Sequence, residues 1–227
     1  MNQDQQKKQA GTKAVDLIHD HMIVGLGTGS TVRYLVEALG QKIQREHLQI
    51  IGVVTSNATA KLAKKCGIKL QSVDQVDYID LTIDGADEIN ADFQGIKGGG
   101  AALLFEKIVA TNSRRNVWIV DQSKMTDKLG KFPLPVEVIP YGSQKIFERF
   151  QQKNYRPTFR LTADGQKEKT DSGNYIIDLH LGQIDQPHEL ARQLKQQVGV
   201  VEQGLFLDLV NTIIIGTPNG PQIIQAR

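Results

Sequence analysis

The chain has a single cysteine, Cys66, among 227 residues, so no disulfide can form within it. Aromatic residues make up only 6%, with one tryptophan. No run of about 18 apolar residues occurs, so no membrane-spanning helix is indicated. No N-terminal apolar core of a secretory signal is present either, and the expected location is the cytoplasm. An excess of one charge is also missing: 27 Lys and Arg stand against 25 Asp and Glu, a net charge of +2. With no basic run and no aromatic residues interleaved with one, nucleic acid is not an expected partner. The five histidines are scattered, and His19 and His21 at i, i+2 lack further ligands, so no metal site is expected. What remains, at 40% hydrophobic and 23% charged, is ordinary globular composition. The length suits one large domain, or a large one with a small companion.

The informative stretch is residues 81–110. A pattern alternating apolar and polar residues over 79–83 predicts a strand, and it runs into Asp84, Gly85, Ala86, Asp87 and Glu88. Lys97 and the run Gly98, Gly99, Gly100 then open a predicted helix that is apolar nearly all round and therefore expected to be buried. Glu106 interrupts it. Its helical neighbours at i±3 and i±4 are Ala102, Leu103, Val109 and Ala110, all apolar. In such a place desolvation favours the neutral carboxyl and raises its pKa towards the range of a general base. The plainer alternative is a glutamate paired with a lysine. Open α/β sheets bind ligands beyond the C-terminal ends of their strands, which is where Asp84 and Asp87 are expected.

Upstream, a strand over 22–25 leads into Gly25-Leu26-Gly27-Thr28-Gly29-Ser30-Thr31 and a helix to about residue 39. Glycines allow close backbone approach, a helix N-terminus offers free N–H groups, and Ser30 and Thr31 add hydroxyls. This makes a phosphate cradle, although many doubly wound domains keep such a turn for packing alone. The Walker pattern is absent because no lysine follows. The dinucleotide fingerprint is absent too, because the second strand (50–54) ends in Thr55-Ser56-Asn57 rather than an acid. A helix over 58–66, a short strand over 68–72 and a strand over 116–120 follow. The last ends in Asp121-Gln122-Ser123-Lys124, where Lys124 points inward or is an ordinary loop lysine. Near the N-terminus Ala14, Val15, Leu17 and Ile18 suggest an amphipathic helix, with Lys7 and Lys8 near its start; by composition alone these two lysines read as a solvated pair.

Pro133 and Pro135 mark a boundary. Beyond them the order strand (136–139), helix (143–151), strand (155–162), strand (175–181), helix (187–198) and strand (200–207) is the βαββαβ of a ferredoxin-like unit. The expected architecture is α/β: a doubly wound, mostly parallel (Rossmann-like) sheet domain, with a smaller ferredoxin-like α+β domain inserted. The domains are 1–130 plus 205–227, and 131–204. No nucleophile motif of the G-x-S-x-G kind and no cofactor motif is found. The polar sets at strand ends fit proton transfer on a small, phosphorylated, hydroxyl-rich substrate. An aldose–ketose isomerisation needs such a set: a base, and charge stabilisation for an enediolate.

DGADEIN followed by IKGGGAALLFEKI, with VGLGTGST upstream and LGKFPLPVEVIP downstream, closely resembles ribose-5-phosphate isomerase of the A type over nearly the whole chain. The resemblance implies interconversion of D-ribose 5-phosphate and D-ribulose 5-phosphate, in the non-oxidative pentose phosphate branch, without metal or organic cofactor. It implies that Glu106 shuttles the proton between C2 and C1, and that Asp84 and Asp87 assist ring opening and hold hydroxyls. Lys97, with Lys124 as a second candidate, would stabilise the enediolate oxygen. Substrate contacts would come from Thr28, Gly29, Ser30 and Thr31, from Gly85 and Ala86, from Gly98, Gly99 and Gly100, and from Lys7. A homodimer is the implied assembly. Two rivals share the architecture. One is a non-catalytic sugar-phosphate sensor, which would need a DNA-binding element not seen here. The other is a related enzyme, such as an amino-sugar phosphate isomerase or an acyl-CoA transferase with a glutamate nucleophile.

Overall fold

Val24, Leu26, Ile83, Val117, Ile119 and Ile214 are all essentially closed to solvent, as strands of a sheet covered on both faces must be. The structure is a computed structural model and describes residues 1–226. Along the chain the first elements are α1 (Gln3–Ala14), β1 (Ile23–Leu26), α2 (Ser30–Glu46), β2 (Ile51–Val54), α3 (Asn57–Lys65) and β3 (Leu81–Asp84). Next come β4 (Glu88–Ile89), β5 (Gly95–Ile96), α4 (Leu103–Thr111), β6 (Asn116–Asp121), β7 (Leu134–Val138) and α5 (Ser143–Gln152). The chain continues through β8 (Pro157–Phe159), β9 (Tyr175–Leu179), α6 (Pro187–Lys195), β10 (Val200–Gln203) and β11 (Leu205–Phe206). It closes with β12 (Thr212–Thr217) and β13 (Gly220–Gln225). These elements form two compact units. The first holds Met1–Ala86, Phe105–Lys124 and the residues from Leu209 onward; the second holds Asp87–Leu104 and Met125–Asp208.

In the first unit six strands run in the order β13-β12-β6-β3-β1-β2, all parallel except β13. On one face Ala10 and Ala14 of α1, Val32, Leu35, Val36 and Leu39 of α2 and Ala63 of α3 pack with the sheet's apolar residues. Val109 of α4 packs with Val53 and Ile79 in a separate apolar cluster. This is the doubly wound, mostly parallel sheet expected. The chain leaves β1 for β2 on one side and later returns to β3 on the other. The C-terminal ends of β1 and β3 therefore flank the switch point where such sheets bind ligands.

The second unit contains β7-α5-β8-β9-α6-β10 as an antiparallel sheet in the order β10-β7-β9-β8. Leu134, Val136, Val138, Ile177 and Leu179 pack with Ile146 and Phe150 of α5 and Leu194 of α6. This is the ferredoxin-like unit, inserted in the sequence of the first. A small sheet, β11-β5-β4, accompanies it.

Several local expectations change. Helix α1 starts within the polar, glutamine-rich N-terminus, where Asn2 and Gln5 form a reciprocal capping box. Residues 68–72 make only a bridge, Gly52 to Leu70, before Ser72 caps a 3-10 turn. The strand over 200–207 breaks at Gly204 into β10 and β11, which pair with different sheets. The strands β4 and β5 are two residues each, too short for a periodic signal. Because β5 pairs with β11, and Ile96 packs among the second unit's apolar residues, residues 87–104 group with that unit rather than with the first.

Candidate active site

Two glycines decide the shape of the turn after β1. A Cβ at Gly27 would lie 1.9 Å from Oδ1 of Asp84, so only glycine leaves room for that carboxylate at the end of β3. Gly29 is the N-cap of α2 with φ +118°, a conformation L side chains rarely adopt. Asp84 is 3% exposed, and its Oδ1 accepts the N–H of Thr28 at 3.0 Å and of Gly85 at 2.7 Å. Hydrogen bonds to a charged acceptor contribute about 1.5–3 kcal/mol each. Behind the turn lies a chain of hydroxyls. Thr28 Oγ1 meets Thr55 Oγ1 at 2.7 Å and Ser56 Oγ at 2.8 Å, Ser56 donates to Thr59 Oγ1 at 3.0 Å, and Thr59 donates to the Gly27 carbonyl at 2.7 Å. Thr55 and Ser56 therefore brace the turn from behind. Ser30 is exposed, Thr31 is buried, and no side chain caps the first turn of α2. That turn presents N–H groups without a side-chain cap at the positive end of the helix dipole, an arrangement that suits an anion.

Glu106 lies in the first turn of α4 and is 4% exposed. Its neighbours Ala102, Leu103, Val109 and Ala110 are all buried, as the spacing requires. The helix itself is not buried all round: Phe105 and Ile108 are each more than a third exposed. Nor do the glycines open it, since Gly98, Gly99 and Gly100 precede α4 as a loop with Gly98 at φ +111° and Ala101 at φ +54°. Lys124 ends a 3-10 turn after β6 and is half-buried. Lys7 is carried by α1, whose start is tied to the end of β6. Gln3 donates to Asp121 and Ser123, and Gln6 accepts the Gln122 N–H at 3.4 Å. A Cβ at Gly11 would lie 2.8 Å from the Thr31 carbonyl, and Asp4 accepts the Tyr34 hydroxyl at 2.5 Å. Positions 4, 7 and 11 share one helical face. Lys7 therefore rises on the face of α1 that runs past the first turn of α2.

In the second unit Asp87 and the loop 97–100 are in direct contact: Asp87 Oδ2 accepts the Gly99 N–H at 2.8 Å. Lys97 is 3% exposed, an unusual place for an ammonium group. Its Nζ lies 5.2 Å from the centroid of the Phe206 ring, within cation–π range. Its backbone N–H donates to the Gly204 carbonyl at 2.9 Å. The structure thus joins Thr28, Gly29, Ser30, Thr31, Asp84 and Gly85 in one unit, and Asp87, Lys97, Gly98, Gly99 and Gly100 in the other. Ala86 ends the first segment of the first unit. Thr59 and Phe206 escaped the sequence reading. A threonine inside a helix carries no motif, and Phe206 lies in a two-residue strand. Among the described residues no three His, Cys, Asp or Glu side chains gather as a metal-ligand set, and no helix is long and apolar enough to cross a membrane.

The profile of the family described as ribose 5-phosphate isomerase A (phosphoriboisomerase A) matches residues 51–220. Ribose-5-phosphate isomerase A of Lactiplantibacillus plantarum is 61% identical over all 227 residues, covering the full length of both chains. A solved D-ribose-5-phosphate isomerase in complex with phospho-erythronic acid superposes with a TM-score of 0.96 at 38% identity, over 99% of this chain and 100% of that one. Ribose 5-phosphate isomerase A of Methanocaldococcus jannaschii gives 0.93 at 37% identity, over 97% and 98% of the two chains. The chain belongs to the ribose 5-phosphate isomerase A family of aldose–ketose isomerases.

Proposed function

We propose that the chain interconverts D-ribose 5-phosphate and D-ribulose 5-phosphate through an enediolate, with Glu106 moving the proton between C2 and C1. The observation that carries this reading is the burial of Glu106, a carboxylate at 4% exposure with apolar neighbours at every i±3 and i±4 position. A base held among apolar side chains is poorly solvated and restricted in its rotamers, and it returns a proton to the adjacent carbon, in some turnovers after exchange with water. The first turn of α2, with Ser30 and Thr31, holds the phosphate dianion, and Lys7 adds a cation. Phosphate contacts far from the reacting carbons supply binding energy that positions the sugar. Asp84, fixed by two backbone N–H groups, holds sugar hydroxyls and assists ring opening together with Asp87. Lys97 stabilises the developing oxyanion, with Lys124 as a second cation. The phospho-erythronic acid bound by the solved relative is itself a phosphorylated, hydroxylated acid, which fits this division of labour.

The test is Glu106→Gln, with turnover also followed in deuterated water. Glutamine keeps the size but accepts no proton, and general-base contributions are about 10²–10⁴-fold, so kcat falls by at least 10²-fold. Binding of sugar phosphate persists. The wild-type product carries solvent deuterium. A glutamine variant with near-normal kcat would falsify the assignment.

A further inference from the structure

The sheet of the second unit has two faces. One carries Leu134, Val136, Val138, Ile177 and Leu179 into the apolar core. The other carries Pro135, Glu137, Ile176 and Asp178, because successive side chains alternate. Arg160 lies just past β8, and its N–H bonds the Ile176 carbonyl at 2.9 Å, continuing the ladder. Its side chain therefore shares the second face with Asp178. There Nε donates to Asp178 Oδ2 at 2.9 Å and Nη2 to Oδ1 at 2.5 Å, with both side chains about one-seventh exposed. This fork-on-fork pairing fixes the guanidinium plane.

The remaining nitrogen reaches the loop after Lys97. Nη1 donates to the Gly98 carbonyl at 2.7 Å and the Gly99 carbonyl at 3.2 Å. The loop lies on the same face, since a Cβ at Gly98 would come within 3.2 Å of Pro135 Cγ. In a trans peptide the C=O and the following N–H point in opposite directions, and no peptide bond among the described residues is cis. Holding the Gly98 carbonyl therefore aims the Gly99 N–H the other way, and that N–H is the one bonded to Asp87 Oδ2 at 2.8 Å.

We propose that Arg160, locked by Asp178, is a positioning residue for the isomerisation: through the peptide planes at Gly98 and Gly99 it sets the carboxylate of Asp87 and the exit direction of Lys97. The inserted sheet then serves the chemistry as well as its own stability. The proposal rests on the reading that Asp87 and Lys97 act on the sugar.

Arg160→Ala and Arg160→Lys test it, together with Lys97→Met and Asp87→Asn, by kcat and KM for ribose 5-phosphate at a temperature where circular dichroism shows each variant folded. Displacements of about 1 Å lower rates by about 10²-fold, so kcat falls 10- to 100-fold in the alanine variant. KM moves less than about threefold, because the phosphate donors of the first unit are untouched. The lysine variant falls too, since one ammonium cannot keep the fork on Asp178 and reach both carbonyls. Added guanidinium ion restores part of kcat in Arg160→Ala and none in Arg160→Lys. Should the alanine variant not fold, Arg160→Lys decides alone. Wild-type kcat in a folded Arg160 variant, with Lys97→Met and Asp87→Asn impaired, overturns the positioning role only. Wild-type kcat in Lys97→Met and Asp87→Asn overturns the reading of the loop and the positioning role with it.

Discussion

Replacing Gly27 by alanine adds one carbon at the most constrained point of the cradle. The new Cβ would stand 1.9 Å from Asp84 Oδ1, 2.1 Å from its Cγ and 2.6 Å from its Cβ. An ordinary carbon–oxygen contact is about 3.4 Å, so the carboxylate must retreat by about 1.5 Å. That distance breaks both of its bonds to the Thr28 and Gly85 N–H groups. Each contributes about 1.5–3 kcal/mol, and water regains part of the loss, so a destabilisation of about 2–4 kcal/mol is expected. A misplacement of this size at a substrate-binding carboxylate lowers kcat by about 10²-fold. The measurements are thermal unfolding and a coupled assay with ribose 5-phosphate, repeated in an Asp84→Gly background. All three nearest atoms belong to Asp84, so the stability penalty of Gly27→Ala shrinks once that side chain is removed. A variant with unchanged melting temperature and kcat, or a penalty of equal size in both backgrounds, refutes the argument.

Two further outcomes follow from the geometry. Replacing Ser30 and Thr31 together by alanine removes two hydroxyl donors from the first turn of α2 and raises KM by at least tenfold with folding kept; an unchanged KM moves the phosphate elsewhere. Glu137 is 1% exposed, its Oε1 accepts from Thr170 and Asn174, and its Oε2 is buried with no hydrogen-bond partner among the described residues. Burial pushes its pKa up, against the opposing pull of Asn174 and Thr170. The folded chain thus holds this proton more tightly than the unfolded one. Its contribution is full below the ordinary carboxyl range and is lost as pH rises through the elevated value. Glu137→Gln removes that loss, about 1.4 kcal/mol per unit of elevation, so its stability advantage over wild type grows with pH above about 4.5 and then levels off. Parallel denaturant titrations at pH 4 and pH 8 measure it, and a difference independent of pH rules it out.

Much of this protein was legible along the chain because its signals are local. Apolar periodicity marked the strands and helices, glycines marked the turn into α2, and the βαββαβ order identified the inserted unit, whose four strands then pair as β10-β7-β9-β8. Glu106 could be singled out because helical spacing alone names its neighbours. Tertiary structure decided what depends on residues far apart in sequence. Gly27 must be glycine because of a carboxylate 57 positions later, which no turn rule contains. Gly204, where one predicted strand divides in two, must be glycine because a Cβ there would lie 2.4 Å from the Lys97 carbonyl. The two-residue strands β4 and β5 are stable only through their partners, so no period announces them. Arg160 reaches a carbonyl 62 residues away, and an arginine after a short strand looks the same whether it faces water or a loop. Sequence periodicity reports which face of an element is apolar. Which polar group meets which across the fold is set by strand register and close backbone approach, and those exist only once the chain has folded.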